Sequence, residues 1–311
     1  MTNISRGENY RHPIDHGQIV ALLVFVHQSK KLQVMRSIII PTDFSETSKN
    51  AAAFAAHLSA DIPGSDLILY TAFDRMEVGS DGSPLDSDDE GRKKIMGLAL
   101  EGLQDEISGI TTAPISLVVE EDNDFTDSLA RYVDRHRIPL IIMGITGASK
   151  LEQLLIGSNT LKLINQKTVP LMIVPPEAHF KGVKNIMLLC DFDEVEKSIP
   201  IADLKGILDL FPAELHVVNI DSEHYIEPSP EYKSQRDKLA KILEGFNPKF
   251  YFLHLFDFVD TINRFVEDKQ IDIIITIPKQ RPLLSKLFNA SHTKKLAYHT
   301  HIPLIAIHSL V

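Results

Sequence analysis

A chain of 311 residues with ordinary apolar and charged content is long enough for two domains and excludes the disordered and fibrous classes. The net charge of -10 argues against a general nucleic-acid binder, which carries a basic stripe, and against docking on an anionic membrane. A single cysteine, Cys190, rules out an intrachain disulfide framework and suits the reducing cytoplasm.

Residues 1–34 read as an extension outside the pattern that follows. Their apolar run, Ile19 to Val26, falls far short of the ~20 residues that cross a bilayer. His12, Asp15 and His16 precede it and no small-residue cleavage site follows, so it does not read as a secretory leader. Met35 opens so regular a first strand that it is expected to be the working start. An N-terminal mass measurement on native protein tests that expectation.

Beyond Met35, short apolar runs alternate with helical patterns. Strands are predicted near 37–42, 66–72, 115–120, 139–143 and 170–174, and helices near 46–60, 90–108, 124–136 and 159–167. The segment 46–60 is alanine-rich and a strong helix former. This alternation means βαβ units, right-handed crossovers and a parallel sheet. The segment Asp74 to Glu90, with Gly79, Gly82, Pro84 and the run Asp86-Ser87-Asp88-Asp89-Glu90, breaks the rhythm and reads as a solvated loop. The other reading, a lid over a bound nucleotide, suffers from like charge against phosphate.

The most telling stretch is Met143-Gly144-Ile145-Thr146-Gly147, followed after nine intervening residues by Gly157-Ser158. It leaves the apolar run Ile138-Pro139-Leu140-Ile141-Ile142 and enters the helical segment Asn159 to Gln166. A glycine-rich loop between a strand and a helix N-terminus lets backbone N–H groups and the helix dipole face an anion closely. The pattern therefore points to nucleotide phosphate. Pro41-Thr42-Asp43-Phe44-Ser45 leaves the end of the first strand. If the first and fourth strands are neighbours, the two loops flank one crevice, where open α/β sheets bind ligands. Asp43 then accepts hydrogen bonds from ribose hydroxyls or the adenine amine, its backbone neighbours touch the base, and Gly144 and Gly147 pass under ribose and phosphates. Gly157 and Ser158 present N–H groups and a hydroxyl. The plainer readings are that Asp43 caps the following helix and that Gly157-Ser158 is a turn.

The chain also repeats itself. Arg36-Ser37-Ile38-Ile39-Ile40-Pro41-Thr42-Asp43-Phe44 matches Lys184-Asn185-Ile186-Met187-Leu188-Leu189-Cys190-Asp191-Phe192. Asp127 to Val133 matches Asp260 to Val266, and Val169 to Val174 matches Ile302 to Ile307, in the same order. Two domains are expected, 35–176 and 182–311, with the boundary near Pro175 to Lys181. Strands of the second are predicted near 186–190, 214–220, 249–254, 271–275 and 303–307.

These residues resemble the universal stress protein family in its tandem, two-domain form. The Pro41 to Ser45 opening, the Gly144/Gly147/Gly157-Ser158 motif and the closing Val169-Pro170-Leu171-Met172-Ile173-Val174 strand carry the likeness, which spans Met35 to Val311. The glycine motif is similar to that of the family's ATP-binding branch. The resemblance implies two Rossmann-like, doubly wound five-stranded domains of order 3-2-1-4-5, with ATP as ligand and Mg²⁺ allowed beside it. It also implies that Ala72 and Met143 line the adenine pocket with Pro41 and Thr42, and that Asn159 extends the phosphate contacts. Family dimers pair across the last strand, so Leu171–Val174 is expected to pair with Leu304–Ile307 as an intrachain pseudo-dimer, which protects two apolar edges. A further homodimer stays open.

The second half departs from the motif. Ile277 and Gln280 stand at its first two glycine positions and Ala290-Ser291 at Gly157-Ser158, while Asp191 matches Asp43. The loop Pro278-Lys279-Gln280-Arg281-Pro282 loses two N–H donors to proline. ATP binding in the family manner is not expected there, and Lys279 and Arg281 read as a solvated basic loop.

No nucleophile elbow, P-loop lysine or His-Glu-x-x-His spacing occurs, and no catalytic or metal-ligating set is assigned. His299 and His301 read as loop residues and Cys190 as a packing residue. No general base stands beside the γ-phosphate, so at most slow hydrolysis is expected. Three functions compete: an ATP-binding stress-response sensor or regulator, a non-enzymatic interaction scaffold or binder of another small ligand, and an adenylating or electron-transfer enzyme of a related fold. The last lacks the Ser-Gly-Gly and His-Ile-Gly-His signatures of adenylating enzymes.

Overall fold

A computed structural model describes residues 37–74, 89–145, 162–163, 169–190, 192, 194–221, 230–254, 258–277 and 302–308. The chain divides into two compact units, Met1–Val34 and Met35–Val311, and every described residue belongs to the second. The segment 75–88, most of the predicted loop, lies outside the described residues, as does the predicted helix 159–167 apart from Lys162 and Leu163.

The first half contains β1 (Ser37–Pro41), α1 (Glu46–Ala60), β2 (Asp66–Phe73), α2 (Asp89–Ser108), β3 (Ile115–Glu121), α3 (Phe125–His136), β4 (Leu140–Gly144) and β5 (Leu171–Val174). Strand β1 is a run of isoleucines because both its faces are covered; Ile39 and Ile40 have no exposed surface. Helix α1 follows from its alanines: Ala51, Ala52, Ala55 and Ala56 are fully buried, and their small side chains let the helix lie close on the sheet. The second half contains β6 (Asn185–Leu189), α4 (Val195–Ser198), α5 (Ile201–Leu208), β7 (Glu214–Asp221), α6 (Pro230–Ile242), β8 (Lys249–His254), α7 (Phe258–Lys269), β9 (Ile273–Thr276) and β10 (Leu304–Ala306).

All ten strands form one sheet of order β3-β2-β1-β4-β5-β10-β9-β6-β7-β8. Neighbours pair in parallel except at the middle, where β5 and β10 run antiparallel with Leu304 opposite Ile173 and Ala306 opposite Leu171. The strand order of the first half is thus mirrored in the second across this seam. One core cluster, on the face of α1 and α2, continues across it through Met172, Val174, Ile305 and Ile307. On the opposite face each half keeps its own cluster, with Leu304 packed against both.

The connection between the halves is packed onto α1. Asn50 donates to the carbonyls of Pro175 and Ala178 at 3.1 and 3.3 Å. Phe180 meets Phe54 edge to face and stacks near His57.

Candidate functional site

Strands β1 and β4 are neighbours, with Ile38 opposite Leu140 and Ile39 opposite Ile141, so the Asp43 and Gly144 turns leave the sheet side by side. Strand β2 flanks β1 on its other side, with Pro41 opposite Tyr70. The carboxyl ends of β2, β1 and β4 therefore bring Ala72, Pro41, Thr42, Met143 and Gly144 to one edge, about 10 Å wide at two strand spacings. Ala72 is half-buried, Met143 is buried, and both pack into the cluster built on Ile39 and Tyr70.

The β1 turn is tightly organised. The Thr42 N–H donates to the Tyr70 carbonyl at 2.9 Å, and the Phe44 N–H donates to Thr42 Oγ1 at 3.0 Å. Thr42 is buried, and its hydroxyl meets that of Ser48 at 2.9 Å. Phe44 takes left-handed backbone, φ 64°, a conformation that is costly for a bulky residue and is held by its surroundings.

Asp43 does not cap α1. Ser45 does: its hydroxyl accepts from the Ser48 N–H at 3.3 Å. Asp43 stands one step further out and orients the cap. Its Oδ1 accepts from the Ser45 N–H at 3.0 Å and from the Ser45 hydroxyl at 2.5 Å. Partial burial pushes the Asp43 pKa up, but hydrogen bonds from Ser45 and Ser48 outweigh this and hold the carboxyl below its usual range. An exposed, ionised carboxylate thus sits at the carboxyl edge of β1.

Gly144 has a packing reason for its identity. A Cβ there would lie 2.3 Å from the Thr47 carbonyl oxygen and 2.6 Å from its carbon, both backbone atoms in the first turn of α1. Glycine lets β4 and the start of α1 meet, and that contact locks the Asp43 turn against the Gly144 turn. Gly147, Gly157, Ser158 and Asn159, the predicted phosphate contacts, lie outside the described residues.

A buried polar group beside Ala72 escapes sequence reasoning. Glu120 is opposite Ala72 on β3. Its Oε2 accepts from Ser128 Oγ at 2.6 Å and from the Tyr70 hydroxyl at 3.3 Å, and Tyr70 also donates to Ser128 Oγ at 2.8 Å. Burial pushes the Tyr70 phenol far above its usual value, so it remains a donor. The triad ties β2 and β3 to the start of α3, which Asp124 caps by accepting from the Thr126 and Asp127 N–H groups. The match of Ser128 with Thr261 in the internal repeat was its one available signal.

In the second half, Cys190 directly follows β6 and is half-buried, and its sulfur accepts from the Phe192 N–H at 3.4 Å. Ile277 is in the core at the Gly144 position, and Asp191 and Pro278–Pro282 lie outside the described residues, as do Ala290, Ser291, His299 and His301. Among the described residues no His/Cys/Asp/Glu group could hold a metal ion, and no helix is long and apolar enough to cross a membrane.

The geometry agrees with comparisons to known proteins. Over 149 residues the chain is 26% identical to a universal stress protein of Methanocaldococcus jannaschii, covering 45% of this chain and 81% of that one. The crystal structure of a universal stress protein from Archaeoglobus fulgidus matches 88% of this chain and 98% of its own, with TM-score 0.65 and 13% identity. A functionally unknown protein from Pseudomonas aeruginosa matches 90% and 95%, with TM-score 0.58 and 14% identity. At such identities the two structures speak for the fold alone. Residues 35–175 match the universal stress protein family itself. The first half of this chain, from Met35 to the end of β5, thus matches the universal stress protein family in sequence and shares its fold.

Proposed function

We propose that this is a cytoplasmic stress-response protein that binds ATP at the carboxyl edge of β2, β1 and β4, as a sensor or regulator with at most slow hydrolysis. The observation that carries the reading is the β1–β4 junction, where an ionised Asp43 stands beside the turn that begins the Gly144/Gly147/Gly157-Ser158 motif. Asp43 accepts the ribose hydroxyls or the adenine amine. Ala72 and Met143 line the base with the backbone of Pro41 and Thr42. Gly144 and Gly147 pass beneath ribose and phosphates, and Gly157, Ser158 and Asn159 hold the phosphates, with Mg²⁺ beside them. Residues 182–311 are a second domain of the same kind, joined to the first as an intrachain pseudo-dimer and without ATP.

Calorimetry with ATP and Mg²⁺ tests this reading. Saturable binding at one site per chain is expected. Asp43→Asn should weaken it about tenfold or more, the scale of a hydrogen bond to a charged group. Asp191→Asn should leave it unchanged, and Gly157→Leu should abolish it by filling the phosphate path. No binding, together with no adenylate in the mass spectrum of purified protein, would overturn the reading.

One observation favours the interaction scaffold instead: the Thr47 contact explains Gly144 without any ligand. A melting temperature indifferent to saturating ATP supports that alternative, whereas binding of the native state raises it.

A further inference from the structure

Helix α2 turns Leu100, Leu103 and Ile107 into the core, all nearly inaccessible. Its opposite side carries Ile95 and Leu98, which are 64% and 57% exposed, the large apolar side chains that the described residues leave in solvent. They are three residues apart and so neighbours on one helix face. A scattered exposed leucine needs no explanation, but two other features mark this face.

The first is charge order. Arg92, Lys93 and Lys94 lie in the amino-terminal half of α2, Glu101, Asp105 and Glu106 in the carboxyl-terminal half, and the last turn has no basic residue. A helix on its own favours anions at its start and cations at its end. Beyond the acidic first turn, α2 carries the reverse, which costs the isolated helix but suits an antiparallel neighbour. The second is space. A Cβ at Gly97 or Gly102 would meet nothing within 4 Å. Glycine weakens a helix interior, and no neighbour in the chain demands it here.

We infer that α2 is a self-association face, on which a second copy of this chain lays its own α2 antiparallel about a two-fold axis. Lys94 lies level with Glu101, the two Leu98 side chains meet about 1.5 Å apart along the helix axis, and Ile95 lies within about 3 Å along the helix axis of the open space at the second copy's Gly102. Lys94 and Glu101 are equidistant from the point midway between Gly97 and Leu98, so an antiparallel pair centred there aligns them on both sides. Glu106 is already paired with Lys49 at 3.2 Å, and Arg92 donates to the Asp74 carbonyl, whereas Lys94 and Glu101 have no ion pair among the described residues. The face is separate from the β5–β10 seam. One helix pair buries less than the ~1,200 Å² of a standard interface, so association is weak and reversible.

Sedimentation velocity of the full chain over a wide concentration range reads this directly. A concentration-dependent monomer–dimer equilibrium is expected. Leu98→Glu, a surface change that leaves the circular dichroism spectrum unaltered, should raise Kd about tenfold or more by burying a charge. Lys94→Glu should raise it about three- to tenfold through two equivalent contacts, and added Glu101→Lys should restore the original value. A monomer at every concentration overturns the inference. So does a dimer indifferent to Leu98→Glu, or one the double exchange fails to restore.

Discussion

The two halves begin alike and then diverge within a few residues. By register, Pro41 and Leu189 occupy one position, and so do Thr42 and Cys190. In both halves a phenylalanine two residues further on takes left-handed backbone, φ 64° at Phe44 and 52° at Phe192. In both its amide reaches back to the side chain two residues earlier, a threonine oxygen in one case and a cysteine sulfur in the other. After this shared turn the first half runs into a capped helix of 15 residues, whereas the second gives four residues, a break at Ile199-Pro200, and then eight more. Neither α4 nor α5 has a side-chain cap. The register that places Gly144 against the start of α1 puts Ile277 at the corresponding point, 8% exposed in the same core cluster as Val195 and Ile199. A glycine lets helix and strand ends touch, and an isoleucine fills the same space with its own side chain. A turn geometry can thus be kept while the packing beside it changes from a helix–strand contact to a core side chain.

The largest effect that could break this contrast comes from exchanging size. Gly144→Val must displace the Thr47 backbone and is expected to cost about 3 kcal/mol or more, as overpacking against main chain. Ile277→Ala should cost about 2–5 kcal/mol for the opposite reason, an unfilled core site. Urea unfolding measures both; a Gly144→Val protein as stable as the parent would remove the distinction between the halves.

A smaller effect sharpens the difference at the helix start. Ser45→Ala removes the cap and the Asp43 partner together and should cost about 1 kcal/mol. The Asp43 resonance should then titrate closer to the ordinary carboxylate range, because its main hydrogen-bond donor is gone. Glu194→Ala at the start of α4 removes no cap bond and should stay within about 0.5 kcal/mol.

The smallest effect is one of pH and belongs to the second half. His216, on β7, is 2% exposed. Its Nε2 faces Glu214 Oε1 at 3.1 Å and Asn185 Oδ1 at 3.4 Å, and Nδ1 faces the Tyr251 hydroxyl at 3.2 Å. Two acceptors at Nε2 assign the proton there and leave Nδ1 to accept from Tyr251. Burial pushes the His216 pKa below its usual 6.5; Glu214 opposes that shift, while Lys249 and Lys269 add to it. The folded state therefore binds the proton less readily than the unfolded chain. This contribution is full above 6.5 and is lost as pH falls from there toward the lower folded value. His216→Gln should flatten stability against pH in that window, as urea unfolding at several pH values reads.

Much of this arrangement was legible beforehand because it rests on local pattern. Apolar runs bounded by turns placed all ten strands to within a couple of residues, and the repeated Asp-Phe turn marked both halves. The antiparallel β5–β10 pair could be expected, since Leu171–Val174 and Leu304–Ala306 would otherwise be bare apolar edges. The helix cap was harder. Asp43 and Ser45 are both good capping residues, and only the backbone path shows that Ser45 takes the cap while Asp43 receives its hydrogen bonds. The Tyr70–Ser128–Glu120 triad was hidden because Tyr70 lies 50 and 58 residues before its two partners.

By itself the sequence determined the alternation of strands and helices, and the glycine and acidic residues at strand ends. These depend on side-chain period and backbone freedom, which act over a few residues. Tertiary structure alone decided that Gly144 must lack a side chain for the sake of Thr47, that Asp43 is held ionised by Ser45, and that Ile277 closes the matching space. Those outcomes come from close packing between segments a hundred residues apart or from one of several competing local hydrogen bonds, and contact distance is not written in residue order.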